Sequence, residues 1–139
     1  MTRYYSIGLD VGTSVIKAGA FSEAGKLIKI VSEPAPKSKI VDRASQDMNE
    51  IWDITRHLLT QLVEKLDDSV PISIGVCGQG DGLWMLDQDG TPVTDAILWN
   101  DSFAQRSVDE WVATGAAFTV SRNCGTDLWA GTSAAIYKQ

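Results

Sequence analysis

The run Ser6-Ile7-Gly8-Leu9-Asp10-Val11-Gly12-Thr13-Ser14 decides the fold. Its first five residues are short, apolar and closed by a carboxylate, as in a buried strand that delivers one polar group at its end. Val11-Gly12-Thr13-Ser14 signals a turn. Val15 to Phe21 then forms a second strand of small and apolar residues. Ser22-Glu23-Ala24-Gly25 reads as a glycine-containing hairpin loop. Leu27 to Val31 makes a third strand, stopped by Pro34 and Pro36. Three successive strands joined by tight turns predict an antiparallel meander.

Downstream the period changes. After a polar stretch from Lys37 to Gln46, Asp47 and Glu50 fit a capping box. Ile51, Ile54, Leu58, Leu59, Leu62, Val63 and Leu66 recur at helical spacing and predict one buried stripe. Pro71 marks the helix exit. Ile72 to Cys77 is the next strand and runs into Gly78-Gln79-Gly80-Asp81-Gly82. Leu83 to Leu86 is extended, Asp87 to Gly90 turns, and Ala96 to Trp99 is a further short strand. Ala104 to Val112 reads as a helix. Ser133 to Gln139 starts another and stops after about two turns, as an element cut short would. Strands, a helix, then more strands predict a mixed α/β domain rather than strict βαβ alternation.

Composition narrows the function. The 139 residues carry 12 Lys+Arg against 18 Asp+Glu, a net charge of −6. A nucleic-acid binder needs a basic footprint, and anionic lipid attracts basic segments, so neither partner is expected. No apolar run reaches the roughly 20 residues of a membrane span. Met1-Thr2-Arg3-Tyr4-Tyr5 does not read as a signal peptide. Cys77 and Cys124 are far apart and outside any C-x-x-C pair, so no zinc site is expected. Cys77 reads as a buried free thiol in a reducing, cytoplasmic compartment. Trp52, Trp84, Trp111 and Trp129 read as packing residues.

Three polar clusters follow apolar strands. Asp10, Gly12, Thr13, Ser14 and Lys17 suit a phosphate group: a strand-end carboxylate faces the metal–phosphate, and a tight turn offers N–H and O–H donors. The same residues also suit an ordinary β-turn with an Asx-type hydrogen bond. Neither a Walker A loop nor a dinucleotide-binding fingerprint is present, because Gly25-Lys26 lacks its glycine partner and Leu83 stands where the last glycine belongs. Gln79, Gly80, Asp81 and Trp84 suit a polyhydroxylated ligand, or a glycine-rich connector beside a core tryptophan. Asn100 and Asp101 form the third cluster, with a simple turn as the alternative. His57, the sole histidine, lies beside the apolar helical stripe and reads as a bystander.

The order of these motifs carries more than any one of them. D-x-G-T-S with a later Lys, then D-x-x-E-x-W, then G-Q-x-x-G, then I-L-W-N-D resembles the opening of an FGGY-family carbohydrate kinase, xylulokinase-like in flavour. The resemblance is in register from Ile7 to about Asp101. It implies an α/β fold of the ribonuclease-H-like, actin-like ATPase type, here incomplete, with a mixed sheet that begins as a three-stranded antiparallel meander. Residues 1–139 would then be the first part of the amino-terminal kinase domain, with the ATP-binding carboxy-terminal domain absent.

The resemblance also implies ATP- and Mg²⁺-dependent phosphorylation of a sugar or polyol hydroxyl. On that basis Asp10 lies near Mg²⁺ and the phosphates, and Gly12, Thr13 and Ser14 line the phosphate loop. Lys17 takes the basic position after it, or is simply an exposed strand residue. Gln79, Gly80 and Asp81 match the sugar-contacting segment, and Asn100 and Asp101 a second sugar-side segment. Asp81 stands where glycerol kinases have Glu and typical xylulokinases His. Phe103 stands where many members have Arg, with Arg106 further on. The catalytic base is expected outside the chain, so the chain alone is expected to be inactive. Two other readings remain: an actin-like ATPase that ignores sugars, and a non-catalytic sugar-binding module. An uncovered domain face would favour self-association.

Overall fold

A computed structural model describes residues 3–66 and 68–138. The expectations for Met1-Thr2 and for the final Gln139 lie outside the described residues. Two compact units emerge: residues 1–36 with 49–79, and residues 37–48 with 80–139.

The first unit is a four-stranded sheet and a helix. β1 (Arg3–Val11), β2 (Val15–Ser22) and β3 (Leu27–Pro34) form the expected antiparallel meander. α1 (Met48–Glu64) follows, and β5 (Ser69–Gly78) returns parallel to β1, giving the order β3-β2-β1-β5. β4 (Ser45–Gln46) belongs to the second unit. The hairpin between β2 and β3 closes through Gly25, whose φ of 73° favours a residue without Cβ.

The alternation of a strand sets the two faces of this sheet. Tyr5, Ile7 and Leu9 share one face with Ile16, Ala18, Ala20 and Val31, and all are buried. The helix carries Ile51, Leu58 and Leu62 as its buried stripe, and His57 Nε2 lies 3.4 Å from Glu33 Oε1 on β3, which seats α1 over that face. The opposite face carries Gly8, Asp10, Lys17, Gly19 and Phe21. It has no helix of its own among the described residues.

Four expectations change here, the first being Val63 of the expected helical stripe, which is exposed at 39%. Pro71 lies inside β5 rather than before it. The strand tolerates it because β5 is at the sheet edge and its register shifts between Tyr5 and Ser6 of β1. Cys77 is exposed, because among the described residues no strand pairs with the outer edge of β5. Ile72, Ile74 and Val76 are exposed for the same reason. Trp52 points to solvent at 64% exposure, on the side of α1 away from its buried stripe.

The second unit is built on a small antiparallel sheet. β6 (Gly82–Leu83) and β4 flank β7 (Ala96–Leu98) in the order β4-β7-β6. α2 (Gln105–Ala113), α3 (Ala116–Cys124) and α4 (Ser133–Tyr137) complete it. Its core is Ala104, Val108, Ala135 and Ile136, with Leu83, Ile97 and Trp111 packed around them. The expected turn at Asp87 is built by its own carboxylate, which accepts from the amides of Asp89 and Thr91. Neither β4 nor α3 was legible from periodicity: β4 has two polar residues, and no residue of α3 is buried.

Candidate functional site

The first polar cluster sits at the end of β1. Asp10 is the penultimate residue of that strand, and Val11 pairs with Ile16 across the turn. A Cβ on Gly12 would come within 2.7 Å of the Val15 carbonyl oxygen, so this tight turn demands glycine. The carbonyl of Ser14 accepts the amide of Ala35, which ties the turn to the end of β3. Thr13 and Ser14 lie in the turn itself.

Asp10 pairs across the strands with Lys17, and their charged groups are 3.8 Å apart. Both side chains remain about half exposed, at 52% and 48%. Cys77 of β5 is the register partner on the other side of Asp10. Below this row Gly75, Gly8 and Gly19 stand side by side on three strands. The Phe21 ring lies against Gly8 and Gly19, within 3.1 and 3.2 Å of where their Cβ atoms would be. The missing side chains leave a hollow of about 410 Å³, with Asp10 and Lys17 on its wall. Five of the expected residues, Asp10 to Lys17, are therefore brought together.

The other two clusters divide between the units. Gln79, just past β5, belongs to the first and is half-buried. Gly80 and Asp81 belong to the second and are exposed. The Trp84 indole N–H donates to the Asp81 carbonyl at 3.3 Å, and Trp84 is partly buried. Gly82 carries a φ of 97° and its amide donates to the Gly131 carbonyl.

Asn100 and Asp101 follow β7 and have opposite environments. Asn100 is exposed. The Asp101 side chain is 2% exposed, and its carboxylate is held by three donors. Oδ2 accepts from Arg43 Nε at 3.0 Å and from the Ala44 amide at 2.7 Å. Oδ1 accepts from the Phe103 amide at 2.7 Å. Burial pushes this carboxyl upward, but the amides of Ala44 and Phe103 and the Arg43 guanidinium outweigh it and hold it below the usual carboxylate range. Asp101 thus acts as a clamp on the polypeptide.

Arg43 is the residue that the sequence reading missed. Its guanidinium carbon sits 3.9 Å from the Phe103 ring centroid while Nε holds Asp101. It occupies the polar stretch before β4, 58 residues from its partner, where no local signal marks it. Trp99 and Trp129 form a tilted pair beside this site, with centroids 6.1 Å apart. Close packing supports it: a Cβ on Gly131 would collide with the Trp99 carbonyl.

Among the described residues no group of three or more His, Cys, Asp or Glu is gathered as a metal site. No helix there is long and apolar enough to cross a membrane. His57 is exposed on α1 and meets Glu33 and Gln61.

Known proteins agree with this architecture. A "Probable L-xylulose kinase" of Pasteurella multocida is 31% identical over 137 residues, covering 96% of this chain and 28% of that protein. The crystal structure of a gluconate kinase from Lactobacillus acidophilus superposes with a TM-score of 0.80 at 29% identity, over 87% of this chain and 25% of that one. A Plasmodium falciparum glycerol kinase with ADP superposes with a TM-score of 0.91 over 97% of this chain and 28% of that one, and at 19% identity it speaks for the fold alone. The chain therefore spans about a quarter of the length of these relatives, and its fold is the expected actin-like one, incomplete at 139 residues. The family model described as "FGGY family of carbohydrate kinases, N-terminal domain" matches residues 5–138, so the chain belongs to the FGGY carbohydrate kinases.

Proposed function

We propose that this chain supplies the phosphate-side and sugar-side segments of an ATP-dependent kinase that phosphorylates a hydroxyl of a sugar or polyol. The observation that carries the proposal is the Asp10–Ser14 turn. It ends a central strand, closes tightly through Gly12 and keeps the Asp10 carboxylate accessible. Phosphoryl transfer relies on positioning and charge stabilisation, and a tight turn with a solvent-accessible carboxylate suits both.

The Asp10 side fits a Mg²⁺–nucleotide. Mg²⁺ keeps several waters and takes one or two carboxylates beside substrate phosphates. A single accessible carboxylate matches that demand, and Lys17 adds a positive charge 3.8 Å away. When bound, Mg²⁺ neutralises charge on the phosphate oxygens. Asp10 would orient the ion, and Gly12, Thr13 and Ser14 would donate to phosphate oxygens. Gln79, Gly80, Asp81 and Asn100 would meet the sugar. Asp101 would hold the second segment in place rather than touch it.

A ketopentose or small polyol is the favoured substrate class, in keeping with the L-xylulose kinase relative. The base that accepts the hydroxyl proton is assigned to residues beyond these 139, so the chain by itself is expected to be inactive. The test is ADP release by the longer protein with ATP, Mg²⁺ and either L-xylulose or glycerol. Sugar-dependent release that collapses in Asp10→Ala supports the proposal. Hydrolysis indifferent to sugar would favour a non-sugar actin-like ATPase, and sugar binding without ATP turnover a binding module. The exposed β5 edge also supports self-association of the isolated chain, which light scattering after size exclusion measures.

A further inference from the structure

The second unit places more at the end of its small sheet than the polar motifs alone. β7 runs antiparallel to both neighbours. Its C-terminal end therefore meets the N-terminal ends of β4 and β6. The Leu98 amide donates to the Ala44 carbonyl, which continues the β4–β7 register beyond Ser45. Arg43 directly precedes Ala44, and Trp99 directly follows Leu98. On the other side Gly82 pairs with Leu98, and Asp81 directly precedes β6. Arg43, Trp99 and Asp81 thus flank the strand ends that meet at one end of this sheet, with Asn100 next in sequence.

Arg43 is fixed but not used up. Asp101 takes Nε, and Phe103 covers one face of the guanidinium. The Nη groups hold no hydrogen bond among the described residues, and 24% of the side chain is exposed. A planar donor locked in orientation loses little entropy when it binds an oxygen. Each sugar hydroxyl both donates and accepts. Arg43 offers donors and Asp81 offers acceptors.

Charge then narrows the ligand. The Arg43 charge is already balanced by Asp101 at 3.0 Å. Asp81 and Asp42 add negative charge at the same end, and among the described residues neither is held by an ion pair. A ligand carboxylate would meet net negative potential there.

We infer that Arg43 is a specificity-determining residue of this site, donating to a neutral polyhydroxylated ligand, and that the surrounding carboxylates reject sugar acids. The inference rests on the carbohydrate-kinase reading and goes beyond it in naming the residue and the charge class of the ligand.

The test titrates the ¹⁵N-labelled chain with L-xylulose and, separately, with gluconate at matched ionic strength. L-Xylulose is expected to shift the Arg43 Nε–H and Trp99 indole signals, and gluconate to leave them in place. Arg43→Lys keeps the charge but loses the planar donors, and is expected to weaken L-xylulose binding about tenfold. Asp81→Asn is expected to let gluconate shift the Trp99 signal, a gain that a merely structural role would not produce. Gluconate binding as tight as L-xylulose in the unaltered chain would overturn the charge assignment. L-Xylulose binding unchanged in Arg43→Lys would overturn the role of Arg43. Silence with both sugars would overturn the inference altogether, while the kinase reading would still be judged by its own ADP-release assay. The comparison of the two sugars needs no variant, so a folding defect in either substitution leaves it intact.

Discussion

Asp10 and Asp101 both follow a short apolar strand, and the fold treats them in opposite ways. Asp10 stays half exposed, with Lys17 3.8 Å away. Asp101 is buried to 2% exposure and receives three hydrogen bonds. The difference comes from what each strand end meets. Among the described residues, the face that carries Asp10 has no covering helix in its unit. The end of β7 meets the segment before β4, which brings Arg43 and the Ala44 amide onto Asp101. A carboxylate left to solvent can still meet a ligand, whereas one saturated by protein donors fixes the chain around it.

The sharpest way to break this contrast is Asp101→Ala. It removes three hydrogen bonds and strands Arg43 without its partner. The expected loss is about 3 kcal/mol of stability in the second unit. Urea unfolding followed by tryptophan fluorescence measures it, because four of the five tryptophans lie in that unit. A loss below about 1 kcal/mol would mean that the clamp is dispensable.

Arg43→Ala should cost less, about 2 kcal/mol, because the two amides still hold the Asp101 carboxylate. A cost equal to that of Asp101→Ala would assign the whole clamp to the ion pair.

Acid sharpens the comparison further. The Asp101 pKa is lowered in the folded state, so its stabilising effect is present above the unfolded-state pKa of about 3.9. It is lost as pH falls through the lower folded value. Stability should therefore drop below about pH 4 in the unaltered chain, and Asp101→Asn should flatten that drop. An unchanged acid profile in Asp101→Asn would place the acid sensitivity elsewhere.

The smallest effect is expected at Asp10. Asp10→Asn breaks only an exposed pair and should change stability by about 0.5 kcal/mol or less. A larger loss would show that the turn depends on this carboxylate for folding. Its consequence is expected in the longer protein instead, where sugar-dependent ADP release should fall at least tenfold.

Much of the first unit was legible in advance. Its strands declare themselves through apolar runs bounded by Gly and Pro, and its helix through a 3.6-residue stripe. The Asp10–Lys17 cluster was legible because its members are close in sequence and pair across one turn. Arg43 was not, because its partner is 58 residues away and its neighbours form no pattern. Cys77 misled for a related reason. An apolar run looks buried from inside the sequence, yet β5 lies at the edge of its sheet and Cys77 on it is exposed.

The sequence by itself therefore determined the meander, the helix, the strand-end turn and the resemblance to carbohydrate kinases. All of these follow from residues within a few positions of one another or from the order of short motifs. Only the tertiary structure decided which carboxylate stays available and which is spent on the fold. That choice depends on contacts between segments far apart in the chain, and burial and hydrogen bonding are set by those contacts rather than by local composition.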